Sequence, residues 1–200
     1  EKPKQHKEMK KSLLFFAIAM GVVALVGCTQ KRGWSHEERK AVRNEIDNYR
    51  DMVYLEDLEV VEFDDFSGDV IEAIEIDYPT YALYYELPGR GDTLDVYVVS
   101  TIVERLDTDP HNLRHIFPYS WLVAEGVLPA GLDKQAQRAF YDCLSQKVKR
   151  QYHTSRRFLY ALMNDPNAGN VVMQMQNDCA MELFDWGMEV DETVVVETTN

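Results

Sequence analysis

The sequence predicts a mainly α-helical protein, with one compact multi-helix domain over residues 35–188. Apolar residues recur at intervals of three and four in several stretches, which is the spacing of one buried helix face. The first of these stretches opens with a helix-capping sequence, and a later one keeps its pattern for four turns. The length of the chain suits a single domain around one hydrophobic core.

Polar start signals place the first two helices. Ser35 followed by Glu38 forms a capping box at the start of the first helix. The apolar stripe of this helix consists of Val42, Ile46, Tyr49 and Val53. Ser67 is the expected N-cap of the second helix. Pro79 ends that helix, because the residue before a proline is driven out of the α region.

Residues 81–103 leave two interpretations open. Their β-branched and aromatic residues flank a Pro-Gly-Arg-Gly-Asp turn, which is typical of a β-hairpin and would make the fold α+β. An internal similarity between residues 69–87 and 143–161 favours helix, because the second copy has a clear helical pattern. The alignment pairs Val70 with Leu144, Ile74 with Val148, Tyr78 with Tyr152, Thr80 with Thr154, and Tyr84 with Phe158. On this interpretation residues 81–87 form a short helix and Asp92 caps another.

Local signals place the remaining helices. Asp109-Pro110 marks a helix start, since proline suits the first helical position. Phe117-Pro118 begins a short turn that ends near Gly126, and Asp133 caps a long helix. A short helix follows Tyr152, and the apolar stripe of the last helix consists of Val172, Met175, Cys179, Leu183 and Trp186.

The charge balance excludes nucleic acid as a partner. Residues 28–200 contain 16 lysines and arginines against 32 aspartates and glutamates, a net charge of about −16. Such a charge repels nucleic acid and anionic headgroups, so any membrane contact is expected to come from a lipid rather than from a basic patch. The acidic residues are densest between Asp47 and Asp77, a run that is typical of a solvated face.

An apolar run near the N-terminus has the features of a secretion signal. Residues 13–26 are 14 residues long, short of the roughly 20 that a membrane-spanning helix needs. Lys10 and Lys11 precede the run and small residues follow it, as in a cleaved signal peptide. Residues 1–8, before Met9, suit neither the signal nor the domain and are interpreted as an upstream extension.

The run ends in Leu25-Val26-Gly27-Cys28, which resembles the lipobox of bacterial lipoproteins. The resemblance covers residues 9–28. It implies that Leu25, Val26 and Gly27 are recognised by the signal peptidase, that residues 9–27 are removed, and that Cys28 becomes lipidated and acylated with fatty acids such as palmitate. Several acyl chains anchor a protein stably, whereas one binds only marginally. Residues 28–34 would then be a tether to the membrane, and residues 189–200 an acidic tail.

The residue after Cys28 suggests which membrane holds the anchor. In Gram-negative members of the resembled family, Asp at this position favours retention in the inner membrane, and here the residue is Thr29. We therefore expect attachment to the outer membrane, with the domain facing the periplasm. Exposure on the cell surface is the alternative.

Lipidation of Cys28 would leave Cys143 and Cys179 as an even pair in an oxidising compartment. A disulfide between them is expected on this basis, and both cysteines fall on apolar helix faces. Two buried free thiols are the alternative, because cysteine is among the most buried residue types.

The sequence contains no clear catalytic or metal-binding constellation. His111 and His115 have a spacing that can serve one metal, but no third ligand and no catalytic glutamate accompany them, so neither a metal nor another cofactor is expected. We therefore expect a non-catalytic interaction or structural module with an envelope protein as partner. A lipoprotein that binds a small ligand or peptide, and an enzyme whose site is assembled from scattered residues, are the alternatives.

Overall fold

The computed structural model describes residues 33–186, and these residues form helices without any strand. The mainly α fold class is therefore confirmed. The α-helices within this range are α1 (His36–Ile46), α2 (Val53–Glu56), α3 (Val60–Asp77), α4 (Tyr81–Tyr85), α5 (Arg90–Thr108), α6 (Tyr119–Ala124), α7 (Lys134–Tyr152), α8 (Ser155–Asn164) and α9 (Ala168–Phe184). Asp47–Tyr49 and Pro110–His115 are 3₁₀ helices.

The hairpin alternative for residues 81–103 is wrong, because this stretch forms α4 and most of α5. The prediction that Asp92 caps α5 is also wrong. Gly89 is the N-cap, with a φ of +74° that favours glycine, and Asp92 lies in the first turn. A carboxylate in that turn still interacts favourably with the N-terminal end of the helix dipole.

The prediction that Ser67 starts the second helix is wrong as well. Helix α3 begins seven residues earlier, where Glu59 and Glu62 form a capping box. Ser67 is fully buried in the middle of the helix, and its hydroxyl donates to the Phe63 carbonyl oxygen at 2.8 Å. A serine can lie inside a helix when its hydroxyl donates to the carbonyl oxygen four residues earlier. The preference of serine for N-cap positions therefore did not determine where α3 begins.

The capping box at Ser35 and Glu38 is confirmed, and the packed structure starts one residue before it. Trp34, at the end of the expected tether, is only 6% exposed and packs against Tyr84. Its indole N–H donates to the Tyr78 carbonyl oxygen at 3.0 Å. The chain therefore enters the domain beside the C-terminal end of α3.

The internal similarity corresponds to two matching corners in the fold. In each corner a long helix ends, a threonine precedes a short helix, and an aromatic residue of that short helix is fully buried. The threonines are Thr80 and Thr154, and the aromatic residues are Tyr84 and Phe158. The faint sequence similarity thus marks equivalent packing positions.

Helix α3 lies near the centre of the core and runs antiparallel to α5. Its buried face includes Phe63, Phe66, Val70 and Ile74, each with no exposed surface. Arg105 on α5 donates to Asp69 on α3 at 2.5 Å, and Tyr97 on α5 contacts Asp77 at the end of α3. Burying these four side chains contributes about 1.5–3 kcal/mol each relative to exposure.

The expected pairing of Cys143 with Cys179 is present in the structure. The disulfide joins α7 to α9, and the two Cα atoms are 5.9 Å apart. Lys147 lies one turn further along α7 and donates to Glu182 on α9 at 2.6 Å. Covalent and ionic contacts therefore hold the same pair of helices together.

Removal of this disulfide should destabilise the domain. The bridge spans a sequence separation of 36 residues. In the chain-entropy model a loop of this size contributes roughly 3–4 kcal/mol to the free energy of unfolding. We expect Cys143→Ser/Cys179→Ser to lose about this amount in denaturant unfolding, and reduction of the native protein to add the mass of two hydrogens. An unchanged mass on reduction would contradict the bridge.

Candidate functional site

The residues of the predicted lipidation site, Leu25, Val26, Gly27 and Cys28, lie outside the described residues. The anchor therefore stays a prediction, as does the acidic tail at 189–200. Within residues 33–186, no helix combines the length and the apolar character needed to cross a membrane.

An open cleft of about 510 Å³ is the best candidate for a binding site in the described part of the chain. Helix α2 and the connection that leads from the second 3₁₀ helix into α6 form its walls. The lining residues are Val53, Glu56, Asp57, His115, Ile116, Phe117, Pro118 and Trp121. Val53 and Trp121 are 65% and 41% exposed, so large apolar side chains face solvent here. The cleft therefore combines apolar walls with two carboxylates.

His115 forms one end of this cleft and is held between two carboxylates. Its side chain is only 4% exposed. The Nδ1 atom lies 3.2 Å from an Asp57 carboxylate oxygen, and the Nε2 atom lies 3.9 Å from a Glu62 oxygen. Arg114 donates to the same Glu62 oxygen at 2.6 Å. These contacts tie the 3₁₀ helix Pro110–His115 to the end of α2 and the first turn of α3.

Burial is the main influence on the protonation of His115. It lowers the pKa of His115 below the ordinary value of 6.5, and the neighbouring Arg114 guanidinium acts in the same direction. Glu62 and Asp57 oppose this effect without reversing it. Burial alone would raise the pKa of Glu62, but the Glu59 N–H, His115 and Arg114 together lower it. At neutral pH the group therefore contains a neutral imidazole beside an ionised Glu62.

This geometry does not form a nucleophile-activating dyad. A histidine that activates a nucleophile needs one ring nitrogen directed at it and the other at an orienting group. Here both ring nitrogens of His115 face carboxylates, and no serine, threonine or cysteine lines the cleft. What the arrangement can do is fix the cleft wall in place and present an apolar surface with a negative charge at its edge.

The second histidine of the predicted pair has a separate environment. The ring of His111 packs edge-on against Tyr141, with centroids 5.3 Å apart. Both histidines lie on a 3₁₀ helix, where residues four apart are rotated by about 120°, so the spacing that suits a metal on an α-helix does not apply. Within residues 33–186, no three histidine, cysteine or acidic side chains are grouped to hold a metal ion.

The acidic run between Asp47 and Asp77 largely forms the outer face of α3. Asp64, Asp65, Asp69 and Glu72 line a shallow groove on this helix. Arginines from the flanking helices reach several of these carboxylates: Arg43 pairs with Asp64, and Arg105 pairs with Asp69. The groove is a solvated acidic surface crossed by ion pairs.

Sequence reasoning missed the two carboxylates that flank His115. Asp57 and Glu62 are 58 and 53 residues away in the chain, and both belong to an acidic run that is typical of solvent-exposed residues. The only local signal was the placement of Asp57 between two buried leucines, Leu55 and Leu58. That pattern indicates a partly enclosed carboxylate but not its partner.

Comparison with known proteins gives no match to a protein-family model, to a curated protein or to a solved structure.

Proposed function

We propose that the protein is a lipid-anchored, non-catalytic interaction module of the bacterial envelope. The cleft beside His115 is its contact surface. The observation that carries this proposal is the combination of an exposed Trp121 with apolar walls in a cleft that no serine, threonine or cysteine lines. Exposed tryptophan is typical of interaction surfaces, where it contributes a large share of the binding energy.

The charges at the cleft edge favour one class of partner. Glu56 and Asp57 are the charged carboxylate residues among those that line it, and no lysine or arginine does. We infer that the cleft binds a segment of an envelope protein with apolar side chains for Phe117 and Trp121 and a lysine or arginine for the two acids. Complementary charge of this kind favours encounter and orientation more than affinity.

Helix α3 links the group around His115, at one end of the cleft, with the point where the chain enters the domain. Glu62, which contacts His115, lies in the first turn of α3, and Tyr78, which accepts from Trp34, follows its last residue. Sixteen residues of helix separate them, which corresponds to about 24 Å. In a domain that is tethered at Cys28, on the outer membrane and facing the periplasm, α3 would hold the group around His115 at that distance from Trp34, where the chain enters the domain.

Truncation of Trp121 should weaken binding through the cleft. The probe is an array of short peptides that differ in their number of leucines and lysines, and binding should rise with both. Trp121→Ala should lower the affinity by at least about tenfold, the size expected for a tryptophan at the centre of an interface. Tyr160→Ala is the matched control, because Tyr160 is 69% exposed on α8 and does not line the cleft. Equal losses in the two variants would contradict the assignment.

The buried His115 should make stability depend on pH. Because its pKa is lower in the folded state than the ordinary 6.5, the unfolded chain binds more protons just below pH 6.5. The free energy of unfolding should therefore fall as the pH is lowered from 6.5 towards 5. Burial also lowers the pKa of His111, which contributes to the fall in the same pH range, whereas the lowered pKa values of Glu62 and Asp109 act only in more acidic solution.

His115→Gln should flatten this fall in denaturant unfolding at several pH values. His36→Gln, at an exposed histidine on α1, is measured beside it as the control for the substitution itself. A steep slope that persists in His115→Gln would show that another group is responsible.

The anchor is tested by replacing the proposed lipid acceptor. Cys28→Ala should leave an uncleaved precursor that incorporates no radiolabelled palmitate, because the cysteine thiol is the acceptor. Cys143→Ala should retain both processing and label. Normal processing of Cys28→Ala would reject the anchor without affecting the account of the cleft.

A further inference from the structure

The positive charge of the domain is concentrated on two consecutive helices. Residues 134–164, which include α7 and α8, contain seven lysines and arginines and a single acidic residue, Asp142. The other residues of the described range contain seven basic and 27 acidic residues. The strongly negative net charge of the chain therefore conceals a local surface of the opposite sign.

Four of these cations flank the connection between α7 and α8. Lys149 and Arg150 lie in the last turn of α7, and Arg156 and Arg157 lie in the first turn of α8. We call these four residues the basic corner. All four are exposed, and none forms an ion pair with another residue of the described range. Lys147, the nearest cation further back on α7, differs, since it is paired with acids of α9.

The four cations of the basic corner have no acidic partner within residues 33–186, unlike several other arginines of the domain. Arginines elsewhere in this domain are used to neutralise the acidic face of α3, as the Arg105–Asp69 and Arg43–Asp64 pairs demonstrate. The basic corner is not used in this way, although residues 33–186 contain 28 carboxylates. As far as the described residues go, its charges are available to an anionic surface outside the molecule.

The basic corner and the entry of the chain at Trp34 lie beside neighbouring positions along α5. Trp34 donates to the backbone of Tyr78, and Asp77 beside it contacts Tyr97 on α5. Three residues further along α5, Ser100 accepts from Arg156 at 3.0 Å. The two contacts on α5 are thus about 4.5 Å apart along the helix axis.

A tether as short as residues 28–33 would keep Trp34 and the basic corner close to the membrane. From Cys28 to Gly33 the chain can span at most about 18 Å. Electrostatic attraction to a charged surface decays over about 8 Å at physiological ionic strength, so only charges on the membrane side of the domain are effective. An anionic surface would attract the basic corner and repel the acidic remainder, which together favour one orientation.

We propose that Lys149, Arg150, Arg156 and Arg157 form a docking surface for anionic lipid headgroups. The proposal rests on the lipid anchor proposed above, and it adds a second contact that sets how the tethered domain lies on its membrane. The phosphates of the headgroups pair with the guanidinium and ammonium groups of the basic corner. The acidic outer face of α3 is not drawn to that membrane.

The test is a labelling experiment on the full chain, expressed in a bacterial host and incorporated into vesicles. The vesicles consist of phosphatidylcholine alone or of phosphatidylcholine with phosphatidylglycerol. A water-soluble reagent acylates exposed lysines, and Lys149 is compared with Lys134, which is exposed at the other end of α7 about 22 Å away. Lys149 should be protected relative to Lys134 only with phosphatidylglycerol, and high salt should abolish the protection.

A pair of charge reversals separates the basic corner from general charge effects. Arg150→Glu should reduce the protection of Lys149 by about fivefold or more, the factor that one cation near an anionic membrane contributes. Lys40→Glu is the matched control, because Lys40 is an exposed helical cation on α1, and this variant should leave the protection unchanged.

The possible failures are distinguishable. If the anchor is absent, the protein does not float with phosphatidylcholine vesicles. If the anchor is present but docking is wrong, the protein floats with both kinds of vesicle and the labelling ratio of Lys149 to Lys134 is the same in both. Protection of Lys149 without any vesicles would instead indicate that the basic corner meets the acidic face of a second copy, and it would overturn the proposal.

Discussion

Burial of one face of α3 is the constraint on which the rest of the structure depends. Phe63, Phe66, Val70 and Ile74 are withdrawn from solvent along about three turns, and helices α1 and α5 pack against α3. The outer face of the same helix carries the densest acidic run of the chain, which could not be buried. The hydrophobic face and the acidic face together fix the rotation of α3 about its own axis.

Helix α3 also connects the group around His115 with the point where the chain enters the domain. Its first turn supplies Glu62 to the group around His115, and the residue after its end accepts from Trp34, where the chain enters. Because one helix links them, the group around His115 and the entry of the chain at Trp34 are held at a set separation. The contacts of His115 with Asp57 and Glu62 join the 3₁₀ helix Pro110–His115 to the end of α2 and the first turn of α3.

Local signals in the sequence were sufficient for most helices but not for the site. The Ser35–Glu38 capping box, the Asp109-Pro110 start and the Asp133 cap all depend on residues within one turn, and each is confirmed. Ser67 misled because its hydroxyl bonds within the helix rather than at a helix start. The contact between Asp57 and His115 joins residues 58 positions apart, which no local pattern encodes. The basic corner could likewise not be predicted from the net charge, because the net charge of the whole chain does not reveal a local cluster of cations.

Site-specific photo-crosslinking in intact cells tests the central claim most directly. A photoreactive amino acid placed at Trp121, inside the cleft, is compared with the same amino acid placed at Tyr160, which is exposed on α8 outside it. The account predicts a discrete crosslinked envelope protein from position 121 that is absent from position 160. The same products from both positions, or none from position 121 in a protein shown to be folded and lipidated, would contradict it.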